Sequence, residues 1–304
     1  MNLSMSRALV SGSSGLIGSA LIASLKSAGV RIARLARASA MQGATNEERI
    51  PWEPLQPISP ETVSGFDAVI HLAGEGIMGR WTASKKLRLR ESRIPTTANL
   101  ARALAQAKSR PQIFLSASAI GYYGNRGDEL LTEESSPGTG FTADMAREWE
   151  QASLPAAEAG IRTVQMRIGI VMARRGGALA KMLPAFKLGL GGKLGDGRQW
   201  MSWIDLRDVI GAIQHMLRSD LLQGPVNLVA PKPVTNEEFS LVLARVLSRP
   251  AIFPVPAVAA RLAFGEMADE LLLASQRVEP ARLISSGYPF RFPTLKQSLE
   301  SLKM

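Results

Sequence analysis

The chain has no cysteine and only two histidines, His71 and His215. The first absence excludes disulfides, thiolate metal sites and a cysteine nucleophile. The second leaves no histidine-rich metal centre and confines any Ser-His-Asp triad to one of two positions; no metal site is expected. No apolar run approaches the ~18 to 20 residues that span a bilayer. The first ten residues, MNLSMSRALV, lack the apolar stretch and cleavage site of a signal peptide. The expectation is a soluble, cytoplasmic protein without membrane partners, a monomer or a homodimer. Basic residues exceed acidic ones, 36 against 26, yet they are scattered along the chain and not blocked together with aromatics. The densest group is Lys85, Lys86, Arg88, Arg90 and Arg93. It reads as a solvated helix face, and an anionic cofactor or substrate accounts for the charge without nucleic acid.

What is present is an alternation of strands and helices. Arg7 to Ser11 reads as a short apolar strand, and Leu16, Ile17, Ala20, Leu21 and Leu25 mark one face of a helix that stops at Gly29. Further strands are expected at Val30 to Ala36, Phe66 to Gly74, Gln112 to Ser118 and Arg162 to Val171. Helices are expected at Thr96 to Lys108 and, unbroken, at Thr142 to Ala159. The Pro-rich stretch around Pro51, Pro54, Pro57 and Pro60 reads as irregular. This spacing predicts an α/β fold, a Rossmann-type doubly wound parallel sheet. From about Arg174 the rhythm changes. The glycine-rich Lys187 to Trp200 reads as a loop over the site, followed by a helix at Asp205 to Arg218, a strand at Pro225 to Ala230 and a helix at Asn236 to Leu247. The last fifty residues, punctuated by prolines, read as a small irregular cap. The expected division is a cofactor domain at 1–174 and a lid with a C-terminal substrate lobe at 175–304, segments near 204–230 returning to the first domain.

Gly12, Gly15 and Gly18 form G-x-x-G-x-x-G within SGSSGLIG, between the first strand and the first helix. There the first glycine permits a tight turn, the second admits a pyrophosphate and the third lets helix and strand pack closely. The helix N-terminus adds amide donors and a favourable dipole. An acid about 20 residues on would take the ribose hydroxyls of NAD. No acid stands there; the second strand ends in RLAR, with Arg34 and Arg37. Either a surface arginine closes that strand, or a guanidinium holds the 2′-phosphate of NADP. The reading taken is NADP(H), with NAD the lesser alternative.

Several longer motifs, HLAGE, SRI, SASAIGYYG, FTADMAREWE, GGALAKMLPAFKLGLGGKLGDGRQWMSWI and PVPAVAARLAFGEMADELLLASQRVEP, occur in order over essentially the whole chain. With them the sequence resembles the atypical, extended short-chain dehydrogenase/reductases, specifically the YfcH-like NAD-dependent epimerase/dehydratase family with its C-terminal DUF1731 domain. The resemblance implies that Gly12, Ser13, Ser14, Gly15, Leu16, Ile17 and Gly18 bind pyrophosphate and that Ala36 and Arg37 meet the adenosine phosphate. It further implies that Leu72, Ala73, Gly74, Arg93 and Val171 line the cofactor, and that Ser118 orients substrate. Strand-end packing competes as the reading of Leu72, Ala73 and Val171, and a solvated charge as that of Arg93. Active relatives carry a tyrosine and, four residues on, a lysine that lowers the phenol's pKa. Here those positions are Phe141 and Met145, neither of which carries a proton. Tyr122 and Tyr123, which follow the serine strand, are candidate replacements, as are Asp144 and Glu148; packing beneath the loop is the other reading of the two tyrosines. The function implied is an NADP(H)-dependent oxidoreductase or epimerase-like enzyme on an unidentified small molecule; the rival is a catalytically silent NADP(H)-binding sensor or scaffold.

Overall fold

A computed structural model describes residues 5–37 and 48–302. Among these, seven strands form one sheet: β1 (Arg7–Ser11), β2 (Arg31–Ala36), β3 (Glu48–Pro51), β4 (Ala68–His71), β5 (Ile113–Ala119), β6 (Arg162–Ile168) and β7 (Gly224–Leu228). Their order is β3-β2-β1-β4-β5-β6-β7, and every neighbouring pair is parallel. The order reverses between β1 and β4, which opens a crevice at the carboxyl ends of those two strands.

Strand period decides which side chains meet which helices. Ala8, Val10, Ile70 and Leu115 point to one face, where they join helices α1 (Leu16–Ser27) and α7 (Leu206–Arg218). Leu9, Val69 and Phe114 point to the other, against α3 (Ile94–Gln106) and α5 (Leu154–Glu158). α2 (Ala83–Glu91) and α4 (Phe141–Gln151) lie nearer the crevice, while α6 (Gly177–Lys187) and α8 (Asn236–Val246) enclose a further core with Trp203 and Phe239.

Four expectations are corrected. The single helix at 142–159 is two, α4 and α5, because Pro155 has no N–H to continue the first and instead fits the opening turn of the second. The strand at 162–171 breaks at Gly169, where a Cβ would lie 2.6 Å from the Ser202 carbonyl oxygen. The Pro-rich stretch holds the edge strand β3, whose Pro51 is tolerated at a strand end on the sheet margin.

The C-terminal fifty residues are not an irregular cap. They hold α9 (Ala257–Phe264), α10 (Ala281–Ser285) and α11 (Leu295–Ser301). Leu283, Tyr288 and Phe290 return to the core beside α1 and α7, and the Asp208 carboxylate accepts from the Tyr288 hydroxyl and from the N–H groups of Arg291 and Phe292. The prolines there mark corners between helices, not disorder. Within 204–230, β7 pairs with β6 in the sheet and α7 packs on its face beside α1. No helix among the described residues is long and apolar enough to cross a membrane.

Candidate functional site

The crevice is built from backbone before side chains. Gly12 has φ +66°, and a Cβ there would stand 2.4 Å from the Leu72 carbonyl carbon and 2.6 Å from Ala73 N. A Cβ on Gly18 would meet the Gly12 carbonyl oxygen at 2.3 Å. These contacts, not flexibility, require glycine. Gly15 is exposed and starts α1, whose first turn has neither a side-chain cap nor an acidic residue. Its N–H groups thus face the crevice as ready donors to an anion. Ser13 is buried and Ser14 exposed; Leu16 and Ile17 are half-buried. Gly177 bridges Leu16 and Val171, its Cβ position being 3.2 Å from Leu16 Cδ2 and 3.4 Å from the Val171 carbonyl oxygen. Ala36 closes β2, and Arg37, exposed, stands just past it on the same edge of the sheet. The sequence-selected residues Gly12 to Gly18, Ala36, Arg37, Leu72, Ala73, Gly74 and Val171 therefore gather along one rim.

Arg93 reaches that rim from beneath. It is 9% exposed, donates to the Leu89 carbonyl at 3.1 Å and the Glu75 carbonyl at 2.9 Å, and lies against Gly74 and over the Trp149 ring. Burial pushes its pKa down to about 10, with Glu75 opposing that fall. It is a buried support of the β4 loop and not a solvated charge. Most of the neighbouring basic group is likewise committed: Lys85 to Glu75 at 2.7 Å, Lys86 to Glu266 at 2.9 Å and Arg90 to Glu148. The cations tie α2 to the β4 loop, to α4 and to the C-terminal lobe, so little of this group is left for a polyanion.

The two ends of the crevice are joined by a buried relay. His71 Nδ1 lies 2.6 Å from Ser11 Oγ, its Nε2 lies 3.0 Å from Thr97 Oγ1, and Thr97 Oγ1 accepts from Trp149 Nε1 at 2.9 Å. Complete burial lowers the His71 pKa to about 4, which keeps the ring neutral.

Beyond β5 the polar groups form a closed network. Ser118, Arg167 and Asn227 are register partners across β5, β6 and β7, and so share one face of the sheet. Ser118 Oγ donates to Glu150 Oε1 at 2.7 Å, and Arg167 grips both Glu150 oxygens at 2.8 Å. Burial alone would lower the Arg167 pKa, but the Glu150 hydrogen bonds and charge raise it above its ordinary value.

The Tyr123 hydroxyl donates to Asn227 Oδ1 at 2.7 Å, lies 2.9 Å from the Thr132 carbonyl and accepts from Arg167 at 3.0 Å. The residue is fully buried, and burial pushes its pKa up to about 12. Of the two readings of Tyr123, this burial and bonding favour packing beneath the loop. Tyr122 is half-buried, carries the Arg167 guanidinium 3.5 Å from its ring centre, and makes no hydroxyl hydrogen bond among the described residues.

Phe141 and Met145 sit on α4 in an apolar cluster with Trp81, Leu89 and Met267. The start of α4 is sealed by Glu270 of the C-terminal lobe, which accepts from Phe141 N at 3.2 Å, Thr142 N at 3.1 Å and Thr142 Oγ1 at 2.7 Å. A Cβ on Gly140 would fall 2.3 Å from that carboxylate. The glycine-rich segment after α6 is tied to its neighbours: Gly195 N donates to the Val255 carbonyl at 2.9 Å, Val255 N to that of Lys193 at 2.8 Å, and Leu194 N to Asn236 Oδ1 at 2.7 Å. Sequence reasoning missed Glu150, Arg167 and Glu270. An arginine inside the apolar run of β6 was the available signal for one of them; nothing local marks a carboxylate that acts 129 residues away.

Comparison with known proteins shows the family. Residues 8–228 match the model of the NAD dependent epimerase/dehydratase family, and residues 255–302 match DUF1731, a domain of unknown function. The chain is 43% identical over 292 residues to the epimerase family protein Mb2239 of Mycobacterium bovis, covering 95% of each chain. It is 33% identical to the epimerase family protein YfhF of Bacillus subtilis, covering 99% of this chain and 98% of that one. The crystal structure of human epimerase family protein SDR39U1 (isoform 2) with NADPH superposes with a TM-score of 0.89 at 32% identity, covering 97% of this chain and 98% of that one. The chain belongs to the NAD dependent epimerase/dehydratase family, with a DUF1731 domain following the family region.

Proposed function

We propose that this protein binds NADP(H) along the rim from Arg37 to Val171 and acts on a small molecule as an oxidoreductase or epimerase-like enzyme, without the usual tyrosine and lysine. The observation that carries the reading is the β1 turn. Gly12 and Gly18 hold backbone against backbone, and the bare first turn of α1 faces the crevice at the sheet's switch point. Arg37, exposed just past the end of β2, would hold a 2′-phosphate, and the crystal structure of the human relative with NADPH supports NADP(H) as the cofactor. When bound, the nicotinamide would supply hydride transfer.

The chain's own contribution is the remainder. The glycine-loop amides take pyrophosphate, and Leu72, Ala73 and Gly74 form the wall that Arg93 supports from below. Ser118 and Tyr122 are the proton-handling candidates, both oriented by the Glu150–Arg167 pair. The substrate-facing wall falls to the lobe after residue 174, whose Met267 and Glu270 already meet α4. The test is calorimetry. NADPH is expected to bind more tightly than NADH, and Arg37→Ala to weaken NADPH about tenfold or more while leaving NADH unchanged. Equal affinity for both cofactors would end the assignment.

A second reading, a silent NADP(H) sensor or scaffold, is favoured by the apolar packing of Phe141 and Met145. Single-turnover oxidation of bound NADPH with carbonyl compounds separates the two. Turnover that falls in Ser118→Ala and Tyr122→Phe supports the enzyme; no turnover with any compound that binds supports the sensor.

A further inference from the structure

Fourteen large apolar side chains are exposed among the described residues, and six of them share one face of the C-terminal lobe. Leu188 and Leu190 lie on the loop after α6, Ile252 and Phe253 on the segment after α8, and Val258 and Leu262 on α9; Leu188 and Leu262 are each 74% exposed. The three pieces are one surface because their backbones are tied together. Arg249 Nε donates to the Lys187 carbonyl at 2.9 Å, the Gly192 Cβ position abuts the Phe253 carbonyl, and Val255 N donates to Lys193 at 2.8 Å before Pro256 starts α9. Val258 and Leu262 are one helical turn apart and share a side. A contiguous apolar face of this kind marks a docking site.

Its charge selects the occupant. Lys187, Arg245 and Arg249 are exposed at the margin, and no carboxylate pairs with them among the described residues; Arg249 bonds only the backbone carbonyls of Lys187 and Ser248. Lys193 and Arg261 are neutralised by Glu237 and Asp269, and the exposed Glu238 lies two turns back along α8 from Arg245. The fringe is therefore positive. Two copies meeting face to face would bring like charges together. Protruding aliphatic side chains ringed by cations instead suit a surface whose headgroups are negative and whose interior is apolar. We infer that this face docks the protein, peripherally, on an anionic phospholipid bilayer. Lying on a membrane does not need a long apolar helix, and none occurs among the described residues.

The test is co-sedimentation of the full chain with vesicles of phosphatidylcholine alone and of an equal mixture with phosphatidylglycerol. Binding is expected to the mixed vesicles only, and to weaken with salt. The double variants Ile252→Asn with Leu262→Asn, and Lys187→Glu with Arg245→Glu, should each lower partitioning by about tenfold or more. All four positions are exposed, so the thermal unfolding midpoint should stay unchanged and show that loss of binding is not loss of fold. Failure to sediment with mixed vesicles, or equal binding to neutral ones, overturns the inference. So does a dimer in sedimentation velocity that Ile252→Asn with Leu262→Asn dissolves, because the face would then belong to a second copy.

Discussion

Two helices, α1 and α4, open at the crevice and end up in opposite states. α1 starts at an exposed glycine with its first-turn amides uncapped and no carboxylate in that turn. α4 also starts after a glycine, but the Glu270 carboxylate fills its amides and its inward residues are Phe141 and Met145. Both N-termini carry the same partial positive charge; what differs is whether the protein itself supplies the anion. The first helix is held ready for a ligand's phosphates, whereas the second is satisfied internally. On the proposed function, binding falls to the α1 side, and proton handling to the Ser118, Tyr122 and Arg167 side of the sheet.

The contrast can be broken most sharply at Met145. Met145→Lys puts an ammonium among Trp81, Leu89 and Met267. A loss of roughly 3 to 5 kcal/mol in urea unfolding is expected. Native-like stability would mean that water reaches α4 and that its site is open. On the other side, Gly12→Ala forces a side chain onto the Leu72 backbone at φ +66°. It should cost about 3 kcal/mol and abolish thermal stabilisation by NADPH; an undiminished NADPH shift would show that the turn does not form the cradle.

The relay through His71 joins the two sides, and its effect depends on pH. Burial lowers its folded pKa to about 4 from an ordinary 6.5, so in that window the unfolded chain binds the proton and the folded one does not. The stability contribution is present above pH 6.5 and is lost as pH falls toward 4, by about 3 kcal/mol in all. Urea titrations across that range, compared with His71→Gln, should show the slope only in the parent. An identical slope in both would remove the histidine from the account. The smallest effect belongs to the cap. Glu270→Ala should cost about 1 kcal/mol while leaving NADPH affinity unchanged. A tenfold change in that affinity would show that the two helices are coupled.

Much of this was legible in the sequence because it is local. The strand-turn-helix at Ser11 to Gly18, the alternating faces of β1, β4 and β5, and the basic end of β2 follow from period, glycine placement and side-chain chemistry over a few residues. Phe141 and Met145 stand out as departures only against what the family resemblance implies, not from any local pattern. Other features needed the folded chain. Whether Arg93 is solvated or buried, and which of two adjacent tyrosines keeps a free hydroxyl, depends on groups far along the chain: Glu75 and Trp149 for the one, Asn227 and Arg167 for the other. The edge strand β3 is too short and polar to carry a period of its own, and it exists through its pairing with β2. The C-terminal prolines read as irregularity until Leu283 and Tyr288 are seen packed beside α1 and α7. The sequence by itself determined where an anion could be cradled, because a helix N-terminus brings its own donors. Only the tertiary structure decided that the second N-terminus is closed, because the carboxylate that closes it arrives from 128 residues away.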